Sequence, residues 1–175
     1  VTCKPHAQEV APGAVWLKGW LSLERQRALV DECRAFMEGP AGGYVPTVRG
    51  GGKMHVRMVC LGRHWNAQTY RYAPTREDHD GASVPAVPRE WVDLAADVAR
   101  AAGFDIRPDL CLINFYGSDG RMGLHQDKDE SPESLDAGLP VVSLSLGDTA
   151  RFLFGGLRRR DPGGAYMLES GDPFL

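Results

Sequence analysis

The chain has 175 residues, 43% of them hydrophobic and 25% charged, which suits one domain of ordinary size with a sizeable core. A formal net charge of −3 does not announce a nucleic-acid binder. No apolar run reaches the length of a transmembrane helix, and the first twenty residues hold no continuous apolar stretch of the signal-peptide kind, so no membrane partner is expected.

The lead-in carries Pro5, Pro12 and Gly13 and predicts irregular chain with one short strand at Val15-Trp16-Leu17. Ser22 is a candidate N-cap for a helix to Glu38, with Glu24 favourable in the first turn and Val30, Cys33, Phe36 and Met37 at core spacing. Gly39-Pro40 stops it. Residues 39–53 hold six glycines and two prolines and predict a loop. Met54–Leu61 is a candidate strand, and His64–Tyr72 is rich in aromatic residues. Pro74, Pro85 and Pro88, with charges between them, predict an exposed loop over 73–88. Pro88 then suits the first turn of a second helix to Ala102, with a stripe of Trp91, Leu94, Ala95, Val98 and Ala102. After Gly103 the period changes to two, with short strands at Leu110–Tyr116, Val141–Leu146, Arg151–Phe154 and Ala165–Glu169. Helices first and strands after predict an α+β chain, with two helices covering an antiparallel sandwich or jelly roll.

The four cysteines, at 3, 33, 60 and 111, form no Cys-x-x-Cys pair and suggest no disulfide framework, so a reducing, cytoplasmic setting is the simplest. Charge is unevenly spread. From Val45 to Arg76 there are six basic residues (Arg49, Lys53, Arg57, Arg63, Arg71, Arg76) and no acidic one. Such a segment attracts phosphate, although arginine stems covering apolar surface in a solvated loop read equally well.

The chemistry-bearing stretch is Asn114 to Glu130. If extended, residues i and i+2 share a face, so His125 and Asp127 can aim a nitrogen and an oxygen at one point. Two histidines and a carboxylate are the donor set of non-haem Fe(II) oxygenases, yet a lone His-x-Asp is common by chance. Alternation places Leu112, Asn114 and Tyr116 on one strand face and Cys111, Ile113 and Phe115 on the other. An amide and a phenol on an apolar strand need partners, supplied either by a keto-acid in a pocket or by the protein core. Ser143 and Ser145 likewise face a cavity or solvent.

Taken together, Cys111-Leu-Ile-Asn-Phe-Tyr116, His125-Gln-Asp-Lys-Asp-Glu130, Pro140-Val-Val-Ser-Leu-Ser-Leu-Gly147 and Phe154-Gly-Gly156 resemble the bacterial AlkB family in order and spacing, over roughly residues 54–172. The resemblance implies a double-stranded β-helix (jelly-roll) core with helices packed on one sheet, in a single domain. Residues 1–103 would form an N-terminal extension with the nucleotide-recognition segment, and 104–175 the jelly-roll core. It implies a dioxygenase using Fe(II), 2-oxoglutarate and O2 that oxidises methyl groups on bases such as 1-methyladenine and 3-methylcytosine and releases formaldehyde. By position, His125 and Asp127 match iron ligands, Asn114 and Tyr116 match contacts to 2-oxoglutarate, and Asp129 matches an acid near the damaged base. Trp65 and Tyr70 resemble contacts to the flipped base and its phosphate, and without the resemblance Trp65 reads as a core or surface tryptophan. The expected partner is alkylated DNA, single- or double-stranded, or RNA, and the expected state is a monomer. A cationic methylated base gains about 0.5–2 kcal/mol by stacking on tryptophan, and base flipping costs least for damaged or single-stranded bases.

The family pattern continues past Gly171-Asp172 into a strand, a second iron-binding histidine and two arginines, one of which grips the far carboxylate of 2-oxoglutarate. The five histidines include none at the matching place. The C-terminal strands of the jelly roll are therefore expected to be missing, and no useful turnover is expected of the 175 residues alone. Pro173 is unexpected where a ladder strand would begin. Three readings follow: part of a working dioxygenase, a non-catalytic nucleic-acid-binding relic, or an oxygenase acting on a protein side chain, lipid or small metabolite.

Overall fold

The computed structural model describes residues 6–175. Its chain divides into two compact units. The first comprises the described part of Val1–Val30 with Ala95–Ile106 and Leu124–Leu175; the second comprises Asp31–Leu94 with Arg107–Gly123.

In the first unit, strands β1 (His6–Ala11) and β2 (Ala14–Lys18) form an antiparallel hairpin, where a single strand was expected. The hairpin extends into a sheet of order β1-β2-β10-β7, with β7 at Ser143–Leu144 and β10 at Pro173–Phe174. Pro173 thus lies in a ladder after all. The hydrogen bonds around it are carried by Ser145 N to Asp172 O (3.0 Å), Gly171 N to Ser145 O (2.8 Å) and Leu175 N to Val15 O (2.9 Å). The missing proline N–H is therefore not demanded. A second ribbon pairs β8 (Ala150–Gly155) with β9 (Gly163–Leu168), which includes the expected strand Arg151–Phe154. Ala14, Leu168 and Phe174 form the buried cluster, with Trp16, Phe152, Phe154 and Tyr166 packed on it. Asp172, 1% exposed, accepts from Trp16 Nε1, Gly19 N and Glu169 N at 2.8–3.0 Å, so a buried carboxylate ties three segments together.

Helix α1 is Leu23–Glu38, capped as expected by Ser22, whose Oγ accepts from Arg25 N (3.2 Å). The second helix, α2, is Arg89–Ala101, just after Pro88. Its buried positions are Ala96, Val98 and Ala99, a stripe turned slightly from the expected one.

The second unit is built on the ribbon of β3 (Arg57–Leu61) and β6 (Cys111–Phe115), paired from Arg57↔Phe115 to Leu61↔Cys111. Period-two alternation sends Val59, Leu61 and Ile113 to one face, against Cys33, Phe36, Met37 and Trp91 of the helices. Met58, Cys60 and Leu112 go to the other face, against Tyr44, Met54, Trp65 and Val84. Gly62 turns the chain from β3 towards β4 (His64–Asn66). Its φ is +78°, and a Cβ there would stand 2.2 Å from Asp109 O, so no other residue fits. Strand β4 pairs with β5 (Arg71–Ala73), a hairpin that the aromatic-rich reading of 64–72 left without assigned elements.

Candidate active site

In the first unit, His125 and Asp127 lie in irregular backbone before α3 (Pro132–Asp136), a short helix that the sequence reading lacked. The i, i+2 spacing still works. Nε2 of His125 is 3.3 Å from Oδ1 of Asp127, and the two side chains are 52% and 56% exposed. Gln126, between them, donates from Nε2 to Leu157 O (2.6 Å) and so fixes the intervening residue to the loop after β8. A nitrogen and an oxygen each about 2.1 Å from one ion, at right angles, stand about 3 Å apart. The pair therefore fits two adjacent positions on a divalent metal. Among the described residues, no cluster of three or more His, Cys, Asp or Glu side chains forms around it. Asp129, half-buried, follows two residues on.

In the second unit, Asn114 lies opposite Met58 in the ladder, on the face of the ribbon that carries Leu112 and Trp65. Its Oδ1 is buried without a hydrogen-bond partner. An orphaned buried amide costs roughly 1–3 kcal/mol, which a ligand donor would recover. Tyr116, 54% exposed, follows at the end of the strand. Desolvation raises its phenol pKa, which keeps the O–H as a donor. The turn after it is close-packed, since a Cβ on Gly120 would meet Tyr116 Cα at 2.8 Å.

The β4–β5 hairpin carries the two expected aromatic residues. Trp65 and Tyr70 have ring centroids 5.9 Å apart, and the guanidinium of Arg49 sits 5.4 Å over Tyr70. Tyr70 is held at φ +56°, in the left-handed region unusual for an aromatic residue. The connection is locked by polar side chains. Asn66 Oδ1 accepts from Gln68 N (2.9 Å) and Thr69 N (3.0 Å). Gln68 Nε2 donates to Thr47 O (2.6 Å), and Arg49 Nε donates to Gln68 O (3.2 Å).

The buried roles of His64 and Asp78 were missed at the level of sequence, and Arg76, counted there in the phosphate-attracting stretch, turns inward instead. His64 is fully buried, 2.6 Å from Asp78 Oδ1, while Asp78 Oδ2 accepts from Ala67 N (3.1 Å). Arg76, 3% exposed, donates to Gly42 O (2.6 Å) and to both oxygens of Asp80, and lies 5.3 Å over Tyr44. The Arg76 guanidinium lowers the Asp80 pKa to about 2. The prediction of an exposed loop over 73–88 is therefore corrected: its backbone is irregular, but two of its charged side chains, Arg76 and Asp78, are interior. The only sequence signal was the coincidence of two histidines, two arginines and three acids within 64–80. At the far end of the ribbon, Arg121 bonds His55 through both backbone (3.3 Å) and side chain (3.2 Å).

The model of the 2OG-Fe(II) oxygenase superfamily matches residues 13–175. The Escherichia coli protein named alpha-ketoglutarate-dependent dioxygenase AlkB is 37% identical, over 97% of this chain and 77% of its own length. The chain belongs to the AlkB family of these oxygenases. A solved AlkB-family structure, that of OsALKBH1, superposes with a TM-score of 0.89 and 39% identity over 97% of this chain and 81% of that one. The fold is accordingly jelly-roll-like and of the dioxygenase type. An Arabidopsis thaliana relative named DNA N(6)-methyladenine demethylase ALKBH1C is 42% identical over 95% of this chain, which spans 40% of that relative.

Proposed function

We propose that this chain, as a member of the AlkB family, removes methyl groups oxidatively from N-methylated bases of nucleic acid. The observation that carries the reading is the His125–Asp127 pair, two accessible donors 3.3 Å apart in a family of iron oxygenases. Both would hold Fe(II). Iron, 2-oxoglutarate and dioxygen together supply the oxidising equivalents that hydroxylate the methyl carbon, after which the product loses formaldehyde.

The chain's own residues bind and orient. Asn114 through its Nδ2 and Tyr116 through its protonated phenol would donate hydrogen bonds to the keto-acid. Trp65 and Tyr70 offer a stacking surface for the extruded base. Asp129 favours positive charge on the ring.

Charge separates two substrate classes. 1-Methyladenine is cationic, so it gains from Asp129 and from the tryptophan face. N6-methyladenine, named for the Arabidopsis relative, is neutral and depends on stacking and shape alone. The three described cysteines are free thiols, which supports a reducing, cytoplasmic setting, and we take the functional unit to be a monomer. The test is mass spectrometry of nucleosides recovered from oligonucleotides carrying either base. Restoration of adenine supports the reading. Intact methylated bases, with 2-oxoglutarate consumed on another substrate, would replace it.

A further inference from the structure

We infer that an acid-rimmed apolar groove, between the C-terminal half of α1 and the start of α2, docks an extended segment of a partner protein that carries an apolar side chain beside arginine or lysine. The groove belongs to the second unit, since its lining comes from residues 32–41 and 85–90. Its volume is about 500 Å³. Phe36, Pro40, Pro85 and Pro88 supply the apolar wall. The three prolines present rings and bring no amide N–H. Ala35 and Pro40 on its wall are exposed, so the site is an open groove that a chain can enter sideways.

Charge selects the occupant. The lining carries the carboxylates of Glu32 and Glu90 and no basic side chain. The neighbouring cations are turned to other partners, Arg34 to Asp31 (3.6 Å) and Arg89 to Asp93 (3.9 Å). Helix α1 ends here with Glu38 and no basic residue in its last turn, so the negative end of its dipole adds to the same field. A surface rich in acceptors and poor in donors complements a cationic, donor-rich segment and repels phosphate. The groove is also preformed. Trp91 donates from Nε1 to Glu32 Oε2, and its ring meets Phe36 edge-on, with centroids 5.5 Å apart at 75°. Phe36 and Trp91 pack on the Val59, Leu61 and Ile113 face of the β3–β6 ribbon, whereas Trp65 and Leu112 belong to the other face. A partner seated in the groove therefore leaves the face of Trp65 and Asn114 open.

The test is fluorescence anisotropy with a labelled nonapeptide alternating arginine and leucine as the probe. Replacing its leucines by serine should weaken binding about 10-fold, because the apolar contact is lost while the charge is kept. Ala35→Arg, an exposed substitution on the groove wall, should weaken binding of the original peptide at least about 10-fold by bulk and like charge. Glu90→Lys should weaken it about 5-fold and should bind a glutamate–leucine peptide better than wild type does. That exchange of preference is a readout that loss of structure does not produce. Equal binding of the serine peptide would reduce the contact to non-specific charge attraction and overturn the proposal. Binding unchanged by both Ala35→Arg and Glu90→Lys would place the peptide elsewhere and also overturn it. Sedimentation of the protein alone is the second arm. A dimer that Ala35→Arg dissociates would give the groove to a second copy of this chain and replace the partner segment, whereas a monomer unaffected by Ala35→Arg agrees with the proposal. Displacement of the peptide by a single-stranded oligonucleotide from wild type but not from Ala35→Arg would give it to nucleic acid and overturn the charge argument.

Discussion

His64 and Asp78 meet at the base of the β4–β5 hairpin, with Nε2 2.6 Å from Oδ1, the imidazole fully buried and the carboxylate side chain 3% exposed. The second carboxylate oxygen takes the Ala67 amide, so one acid secures both the residue before Trp65 and the turn after it. Removing it leaves a backbone N–H without its acceptor and the buried imidazole nitrogen with only the long 3.4 Å contact to Tyr44 Oη, losses of roughly 1–3 kcal/mol each. Asp78→Ala should therefore lower stability by about 2–4 kcal/mol in urea unfolding, and Asp78→Asn by about half as much. A loss under about 0.5 kcal/mol would mean that the pair does not hold the hairpin.

Acid should loosen the same region from the Arg76 side. Asp80 is held at about 2 by the Arg76 hydrogen bonds and ionises near 3.8 when unfolded. Its contribution is complete above the unfolded value and is lost as pH falls through about 2, because the unfolded chain binds the proton first. Asp80→Asn should flatten the stability profile between about pH 4 and 2 and change its shape little above that. An unchanged acid limb would refute the assignment.

Asn114 predicts an unusual pair of results. Its Oδ1 is buried and unpaired, so Asn114→Ala should cost little or nothing in the ligand-free protein. The thermal stabilisation produced by 2-oxoglutarate should nevertheless shrink by about 1–2 kcal/mol. A large loss in the free protein with an unchanged ligand shift would make Asn114 a structural residue.

Trp65→Ala should weaken binding of single strands carrying a methylated base by about 1–3 kcal/mol. The loss should be greater for a cationic 1-methyladenine strand than for a neutral N6-methyladenine strand. Equal affinity of mutant and wild type would return Trp65 to its packing role against Tyr44 and Met58.

Much of this was legible in the sequence because it rests on strong periodic signals. The alternation of Cys111 to Phe115 correctly separated the face of Leu112 and Asn114 from the face of Ile113, and the Ser22 cap located α1. The hairpin at 64–73 was harder to read. Its strands have three residues each, and its left-handed position is a tyrosine rather than a glycine. Arg76 and Asp78 were misplaced because charge between prolines ordinarily means exposure, and only their tertiary partners reverse that. Pro173 entered a ladder because its neighbours carry the bonds. The spacing of His125 and Asp127 does bring the two side chains within 3.3 Å, although their backbone is irregular rather than extended.

The most direct measurement is formaldehyde release from a methylated oligonucleotide by the protein, with Fe(II) and 2-oxoglutarate supplied or withheld. The account predicts release only when both are present, and a fall of at least about 100-fold on His125→Ala or Asp127→Ala. Unchanged release by either variant would contradict it.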